Sequence, residues 1–347
     1  MKAEANTQQS NILRQIASFF KWISRNRQTI LLVIVFIVLF TFFATTERKF
    51  LTTRNITSMG FQLPEIGVLS LAMMITILTG GINLSVNATS NMAAVLAGLY
   101  LVRFVPKEAS DFQIWVSLVI AMLIVLLVGL ISGLLNGFLI GYIRVPPILA
   151  TLATMTFFTG ISTGLTGGAT VTGFPEQVSI IGSKSLVGVP IPFVIFFVLT
   201  VFMYVLLTRT SFGFKVRMLG TNPTAANFTG IDTRRVLLQV YALSGVLSSI
   251  TGVLIMGRTM SAAYEYGTTT YVLLTILIAV LAGVVPGFGS VIDVFIAVLI
   301  LQVLSSGFTM MLAGIRGSSF FKDFAWGVLL IIIFIINYLT RLKASKG

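Results

Sequence analysis

The stretch RTSFGFKVRMLGTNPTAANFTGIDTRR, residues 209–235, separates two strongly apolar runs and is the longest basic interruption in the chain. Inside it lies a short helix with its own punctuation. Asn222 is suited to act as N-cap, accepting a backbone N–H, and Pro223 follows at the first helical position, where a missing N–H costs nothing. Ala225 and Ala226 favour helix, and Gly230 can end it in the left-handed conformation. A helix of about two turns does not persist alone in water. The segment therefore rests on the body of this protein or on another protein, and its contact bears directly on function.

Around this segment, 56% of the 347 residues are hydrophobic and 10% are charged, against about 25% charged in soluble domains. Apolar runs long enough to cross about 30 Å of hydrocarbon recur along the whole length. They are too long and too uniform for barrel strands, and an open sheet is excluded in lipid. The chain reads as an all-α polytopic membrane protein of about ten transmembrane helices. The expected spans are 29–46, 62–80, 88–105, 114–141, 147–165, 190–208, 236–257, 269–285, 290–312 and 323–340. They form a permease domain over 29–340, between a basic N-terminal tail at 1–28 and a short tail at 341–347. The first run lacks a small-x-small cleavage site before FFATTER and is read as a retained span rather than a signal peptide.

Lysine and arginine set the orientation. With both termini inside, the N-tail, 142–146, 209–235 and the C-tail hold most of the basic residues, as the positive-inside rule requires. The three basic residues within 47–54 run against it. The net charge of +13 is thus a topology signal, with membrane lipid rather than nucleic acid as its setting. There are no cysteines and no histidines, which removes disulfides, zinc sites built on those residues, and imidazole catalysis. A phosphate-binding loop needs a Gly-Lys-Ser/Thr ending, and no lysine here follows a glycine. GLTGGATVTG (164–173) and GVVPGFG (283–289) read as turns or helix breaks. The chain is expected to carry no catalytic residues, no metal and no cofactor of its own; ATP and Mg would belong to a partner.

Gly80 and Gly81 predict a break in a membrane helix, whose freed backbone groups must face protein or a water-filled cavity. Beyond it Asn83, Asn87 and Asn91 recur every four residues on one helix face, with Ser85 and Ser90 beside them. Their amides can donate and accept, which suits a hydroxyl-rich neutral solute along a pathway; equally, they can bond neighbouring helices. Gly129, Gly133, Gly137 and Gly141 form a small-xxx-small series that reads as helix packing, with Asn136 beside it. IRVPPILATLATM (143–155) reads as an extended joint before a new helix, anchored by Arg144. Glu65 and Asp293 fall near proposed span ends, so an interfacial position is expected for both, with no partner evident in sequence.

With these residues in view, the chain resembles the ribose/galactose-type permease family of bacterial ABC importers. The likeness runs from about residue 50 to 340. It is carried by NITSMGFQLPEIGVLSLAMMITILTGGINLSV, GLISGLLNGFLIGYIRVPPILATLATM, VPIPFVIFFVLTVFMYVLLTRTSFGFKVRMLGTNPTAANFTGI and YALSGVLSSITGVL, in that order. The resemblance implies a cytoplasmic coupling helix within 220–231. Gly220, Thr221, Asn222, Pro223, Ala225, Ala226, Gly230 and Ile231 would dock there on an ATP-binding subunit. It further implies a second permease subunit, a periplasmic solute-binding protein, a place in the bacterial inner membrane, and transport of a monosaccharide or similar polyol by alternating access. Two segments depart from the family pattern. Asn83 stands for an acid and Asn87 for a glycine in GGINLSVN, and Val284, Val285 and Pro286 interrupt a glycine-rich segment. The rival reading is an ion-coupled secondary carrier using Glu65 or Asp293; a membrane enzyme ranks last, because no convergent acid, base and nucleophile set is present.

Overall fold

The computed structural model describes residues 27–106, 108–312 and the separate positions 324, 326–328 and 331. Its elements are helical almost throughout: α1 (Arg27–Thr46), α2 (Thr53–Leu78), α3 (Val86–Phe104), α4 (Asp111–Gly141), α5 (Pro147–Thr166), a short α6 (Ser179–Ser183), α7 (Ile191–Arg209), α8 (Ser211–Thr221), α9 (Pro223–Phe228), α10 (Thr233–Thr259), α11 (Thr268–Leu281) and α12 (Val291–Met311). By length and composition, α1, α2, α4, α5, α7, α10 and α12 can each cross a membrane. Helices α3 and α11 stand in the places of the spans expected at 88–105 and 269–285. The span expected at 323–340 lies almost wholly outside the described residues, as do most of the N-terminal tail and all of the C-terminal tail.

Two of these helices are not simple spans. Helix α11 has 14 residues, about 21 Å at 1.5 Å per residue, short of the roughly 30 Å of hydrocarbon. Helix α3 starts inside the bundle. After the break, where Gly80 has φ +86°, Asn83 Nδ2 donates to Ser244 Oγ at 3.0 Å and Ser244 Oγ donates to the Ala72 carbonyl at 2.8 Å. Ala72 lies about 9 Å back along α2 from its end at Leu78. Residues 81–85 therefore climb back into the bundle before α3 begins. The freed backbone groups are satisfied on the way: Gly81 N–H bonds Thr76 O, Leu78 O accepts from Gly287 N–H at 2.9 Å, and Ile82 O accepts from Thr151 Oγ1 at 2.9 Å.

The breaks at 79–85 and 282–290 share one end of the bundle with α8 and α9, here called the loop end. At the opposite end two short strands, β1 (Val171–Thr172) and β4 (Ser261–Ala262), pair antiparallel, Val171 with Ala262 and Thr172 with Ser261. A small hairpin of β2 (Ser185–Leu186) and β3 (Val189–Pro190) lies in the same connection, between α6 and α7. The joint at 143–155 has the predicted form: Arg144 takes φ +68°, Pro146 is extended, and Pro147 opens α5.

The core is centred on α2 and α10, the two most enclosed spans. Lipid is as apolar as leucine, so burial gives helices little reason to associate there, and close backbone approach matters instead. Helix α10 presents small residues on several sides, and the glycines of α4 meet it. A Cβ added at Gly133 would collide with the Tyr241 carbonyl, one at Gly137 would sit 2.7 Å from the Leu238 Cα, and one at Gly141 would sit 3.0 Å from the Arg234 carbonyl. Gly137→Leu should therefore separate α4 from α10, with a loss of about 1–3 kcal/mol or more from overpacking. Gly160→Leu, at a position with nothing within 4 Å, should be tolerated. Melting temperatures in detergent would compare the two, and equal melting points would contradict the close approach.

Candidate functional site

The loop of 209–235 folds into two helices, not one. Helix α8 was not anticipated, because FGFKVRMLG mixes glycines and charges without caps that stand out. Its N-cap is Thr210, whose hydroxyl accepts from Gly213 N–H at 3.4 Å, and Val216 and Leu219 are buried beneath it. Arg217 is half-buried, and desolvation lowers its pKa from the ordinary value; a guanidinium starts so high that it stays charged. Gly220 sits where the two breaks meet: a Cβ there would strike the Leu78 carbonyl and the Gly287 nitrogen. Helix α8 is thereby locked onto the turns that follow α2 and α11.

Helix α9 has the local chemistry expected of it. Asn222 Oδ1 accepts from Ala225 N–H at 3.0 Å, Pro223 is at the first position, and Gly230 takes φ +80°. The direction it faces is different from the reading above. Ala226 is 0% exposed, buried against this chain's own body, while Phe228 is 89% exposed. Ile231 is half-buried among core residues. Of the residues implied to dock on a partner, Thr221, Asn222, Pro223 and Gly230 are exposed and Ala226 is not. The outward face also carries Thr224 and Phe228. Phe214 on α8 and Phe288 in the 282–290 turn are exposed at the same end. Beside α9 is a cavity of about 530 Å³ lined in part by Gly80, Gly81, Arg144, Pro223, Asn227 and Arg234.

The asparagine stripe is buried, and each amide holds another element. Asn83 Oδ1 accepts from Ser85 N–H at 3.1 Å and Ser85 Oγ at 2.7 Å, closing the turn into α3. Asn87 Nδ2 donates to the Tyr266 carbonyl at 2.8 Å, and Asn91 Nδ2 to those of Tyr264 and Tyr266 at 3.0 and 2.9 Å. Asn136 Nδ2 donates to Ser85 Oγ at 2.9 Å and its Oδ1 accepts from Thr154 Oγ1 at 2.7 Å. Among the described residues Ser90 Oγ has no hydrogen-bond partner. In this arrangement the stripe ties α3 to α10 and to the strap of 260–267.

Glu65 overturns the interfacial expectation. It lies at the middle of α2, 1% exposed, and it has partners. Arg258 Nε and Nη2 both donate to its carboxylate, the second at 3.1 Å. Tyr271 OH donates to Oε2 at 3.0 Å, and Tyr266 OH lies 3.4 Å from the same oxygen and 2.5 Å from Arg258 Nη2. Sequence reasoning missed Arg258, Tyr266 and Tyr271, because Arg258 is 193 residues from Glu65 and stands just past the end of an apolar run, where it reads as an anchor. Asp293 is in the first turn of α12, near the loop end, and accepts from Thr29 Oγ1 at 2.5 Å. Among the described residues no group of three potential metal ligands occurs.

Removing one member of a buried ion pair leaves an uncompensated charge, worth up to roughly 3–5 kcal/mol when fully buried, whereas replacing both by apolar residues is often neutral. Arg258 keeps 28% of its side-chain exposure, so the effect lies below that ceiling. The expected order of melting temperatures is therefore Arg258→Met lowest, with the double variant Glu65→Met/Arg258→Met recovering most of the loss. A double variant no better than the single one would show that the two side chains do not compensate each other.

Residues 55–337 match the family model described as branched-chain amino acid transport system / permease component. The chain is 32% identical over 293 residues to the ribose import permease protein of Bacillus subtilis (strain 168), covering 83% of this chain and 86% of that protein. It is 31% identical over 253 residues to the autoinducer 2 import system permease protein of Yersinia enterocolitica, covering 71% and 73%. The protein of that name from Salmonella typhi is 32% identical over 253 residues, covering 71% and 73%. No solved structure matches. With seven membrane-length apolar helices among the described residues, this multi-pass chain belongs to the ABC importer permease family of the ribose type, the family described as branched-chain amino acid transport system / permease component.

Proposed function

We propose that this chain is the membrane-spanning subunit of an importer for a monosaccharide or sugar-like small solute, driven by ATP hydrolysis on a separate subunit. The observation that carries the reading is α9. Its inner face is sealed against the chain by Ala226, while Phe228 projects, 89% exposed, from a basic segment between two apolar helices. A six-residue helix pinned from below with an exposed aromatic on top is suited to fit a groove in a partner. The permease character and the names of the relatives support an ATP-binding subunit as that partner, a second permease subunit and a solute-binding protein. On this reading the loop end is cytoplasmic, both termini are inside, and the membrane is the bacterial inner membrane. ATP and Mg reside in the partner. The carrier alternative is weakened at Glu65, which is paired with Arg258; Asp293, the other carboxylate it named, accepts a hydrogen bond from Thr29.

The test separates the two faces of α9. Phe228→Asp should leave a monodisperse permease that no longer retains its ATP-binding subunit through purification, with ATP-driven sugar uptake lost. Ala226→Asp should instead harm the permease itself, because it places a charge in a fully buried position. Normal uptake by the Phe228→Asp protein would remove α9 as the docking element.

A further inference from the structure

The cavity of about 530 Å³ beside α9 falls within the roughly 300–1,000 Å³ of small-molecule sites, and its wall suits an anion. It opens at the loop end, where Arg144 and Arg234 on its rim are exposed. Neither arginine has an ion-pair partner among the described residues. None of the described residues lining the cavity is acidic, and Asp232, two positions before Arg234, is committed to Arg235 at 2.9 Å. The wall also includes Pro147 of α5 and Thr233 and Arg234 of α10, each in the first turn of a membrane-length helix. The positive ends of two helix dipoles therefore converge on the space beside two unpaired guanidinium groups.

The inner wall has a polar group to spare. Arg234, Leu237 and Tyr241 recur at i, i+3 and i+7 along α10 and share one face, with Tyr241 about 10 Å further into the bundle than Arg234. Tyr241 is 0% exposed, and its hydroxyl has no hydrogen-bond partner among the described residues. That hydroxyl abuts Gly81 in the cavity wall, so closely that a Cβ on Gly81 would collide with it. The outer rim is apolar. Ile143, Ile148 and Leu149, on either side of Arg144, are each more than half exposed. They stand where α4 ends and α5 begins, at the level of the membrane surface, where lipid phosphates lie. A soluble anion gains nothing from such a rim, whereas acyl chains cover it. We infer that the cavity binds the headgroup of an anionic phospholipid, with Arg144 and Arg234 on the phosphate and the acyl chains along Ile148 and Leu149. Basic pockets between transmembrane helices hold headgroups of this kind. Because Pro223 and Asn227 of α9 form part of the wall, a bound headgroup braces α9 against α5 and α10.

The test is lipid titration of the full-length protein in detergent, read by native mass spectrometry. Dioleoyl phosphatidylglycerol should bind saturably, and dioleoyl phosphatidylcholine, whose choline brings a positive charge to a basic wall, should bind about tenfold more weakly or worse. The double variant Arg144→Asn/Arg234→Gln should weaken phosphatidylglycerol binding by a similar factor. Asparagine tolerates the left-handed backbone at position 144, where φ is +68°, and both positions are exposed, so the lipid-free melting temperature should match that of the parent. Should the double variant fail to accumulate, each single variant should show part of the same loss. Arg54→Gln removes an exposed arginine at the opposite end of the bundle and should bind as the parent does. Equal binding of the two lipids, an unweakened double variant, or an equal loss in Arg54→Gln overturns the site. Glycerol 3-phosphate binding as tightly as the lipid would make a soluble phosphate ester the ligand and overturn the lipid assignment.

Discussion

The bundle depends on the narrowness of α10. A helix in lipid gains little by hiding apolar surface, so what holds this one at the centre is how closely other backbones can come. Gly245 faces the Gly129 carbonyl and the Gly133 backbone, Gly252 lies under the Ser90 carbonyl, and Gly257 meets Gly182 in α6. Ser244 adds a hydrogen bond to the α2 backbone. A leucine at any of these points would push a neighbouring helix outward. The same closeness explains why α4 can be apolar and exposed on its other side while its glycine face is buried.

Helix α10 also links α9 to the Glu65–Arg258 pair. It begins at the Asp232 cap, after the turn that follows α9, where Asp232 Oδ1 accepts from Arg235 N–H at 3.1 Å. It ends at Thr259, next to Arg258 and the pair with Glu65. Over 27 residues this is a rod of about 40 Å. A push on α9 would pass through the turn at 229–232, where Gly230 has φ +80°, before entering α10 and reaching the Glu65 network. Helix α8 gives the same push a second route, since Gly220 is locked against the ends of α2 and α11.

What could be read from sequence was whatever short-range chemistry decides. The N-cap at Asn222, the proline at the first turn, the left-handed Gly230 and the break at Gly80 are each set by neighbours within a few residues, and the structure has all of them. What could not be read was set by residues far apart in the chain. Nothing local tells Glu65 that Arg258 will stand beside it, or Ala226 that it faces inward while Phe228 faces out. The asparagine stripe shows the limit most clearly. Its periodicity was visible, but what its amides bond to depends on the strap of 260–267, which arrives from another part of the chain.

The exchange of an acid for Asn83 becomes intelligible at the turn into α3. The side chain must accept from Ser85 and, at the same time, supply a donor to Ser244, whose own proton is committed to the Ala72 carbonyl. An amide does both and stays neutral; a carboxylate accepts only. A carboxylate at Asn83 would also bring a second negative charge into the bundle, and Arg258 is already paired with Glu65. Neutrality at Asn83 and neutrality of the Glu65–Arg258 pair are therefore one arrangement. The described interior holds polar groups at several depths, and its most deeply buried carboxylate, Glu65, is neutralised by Arg258.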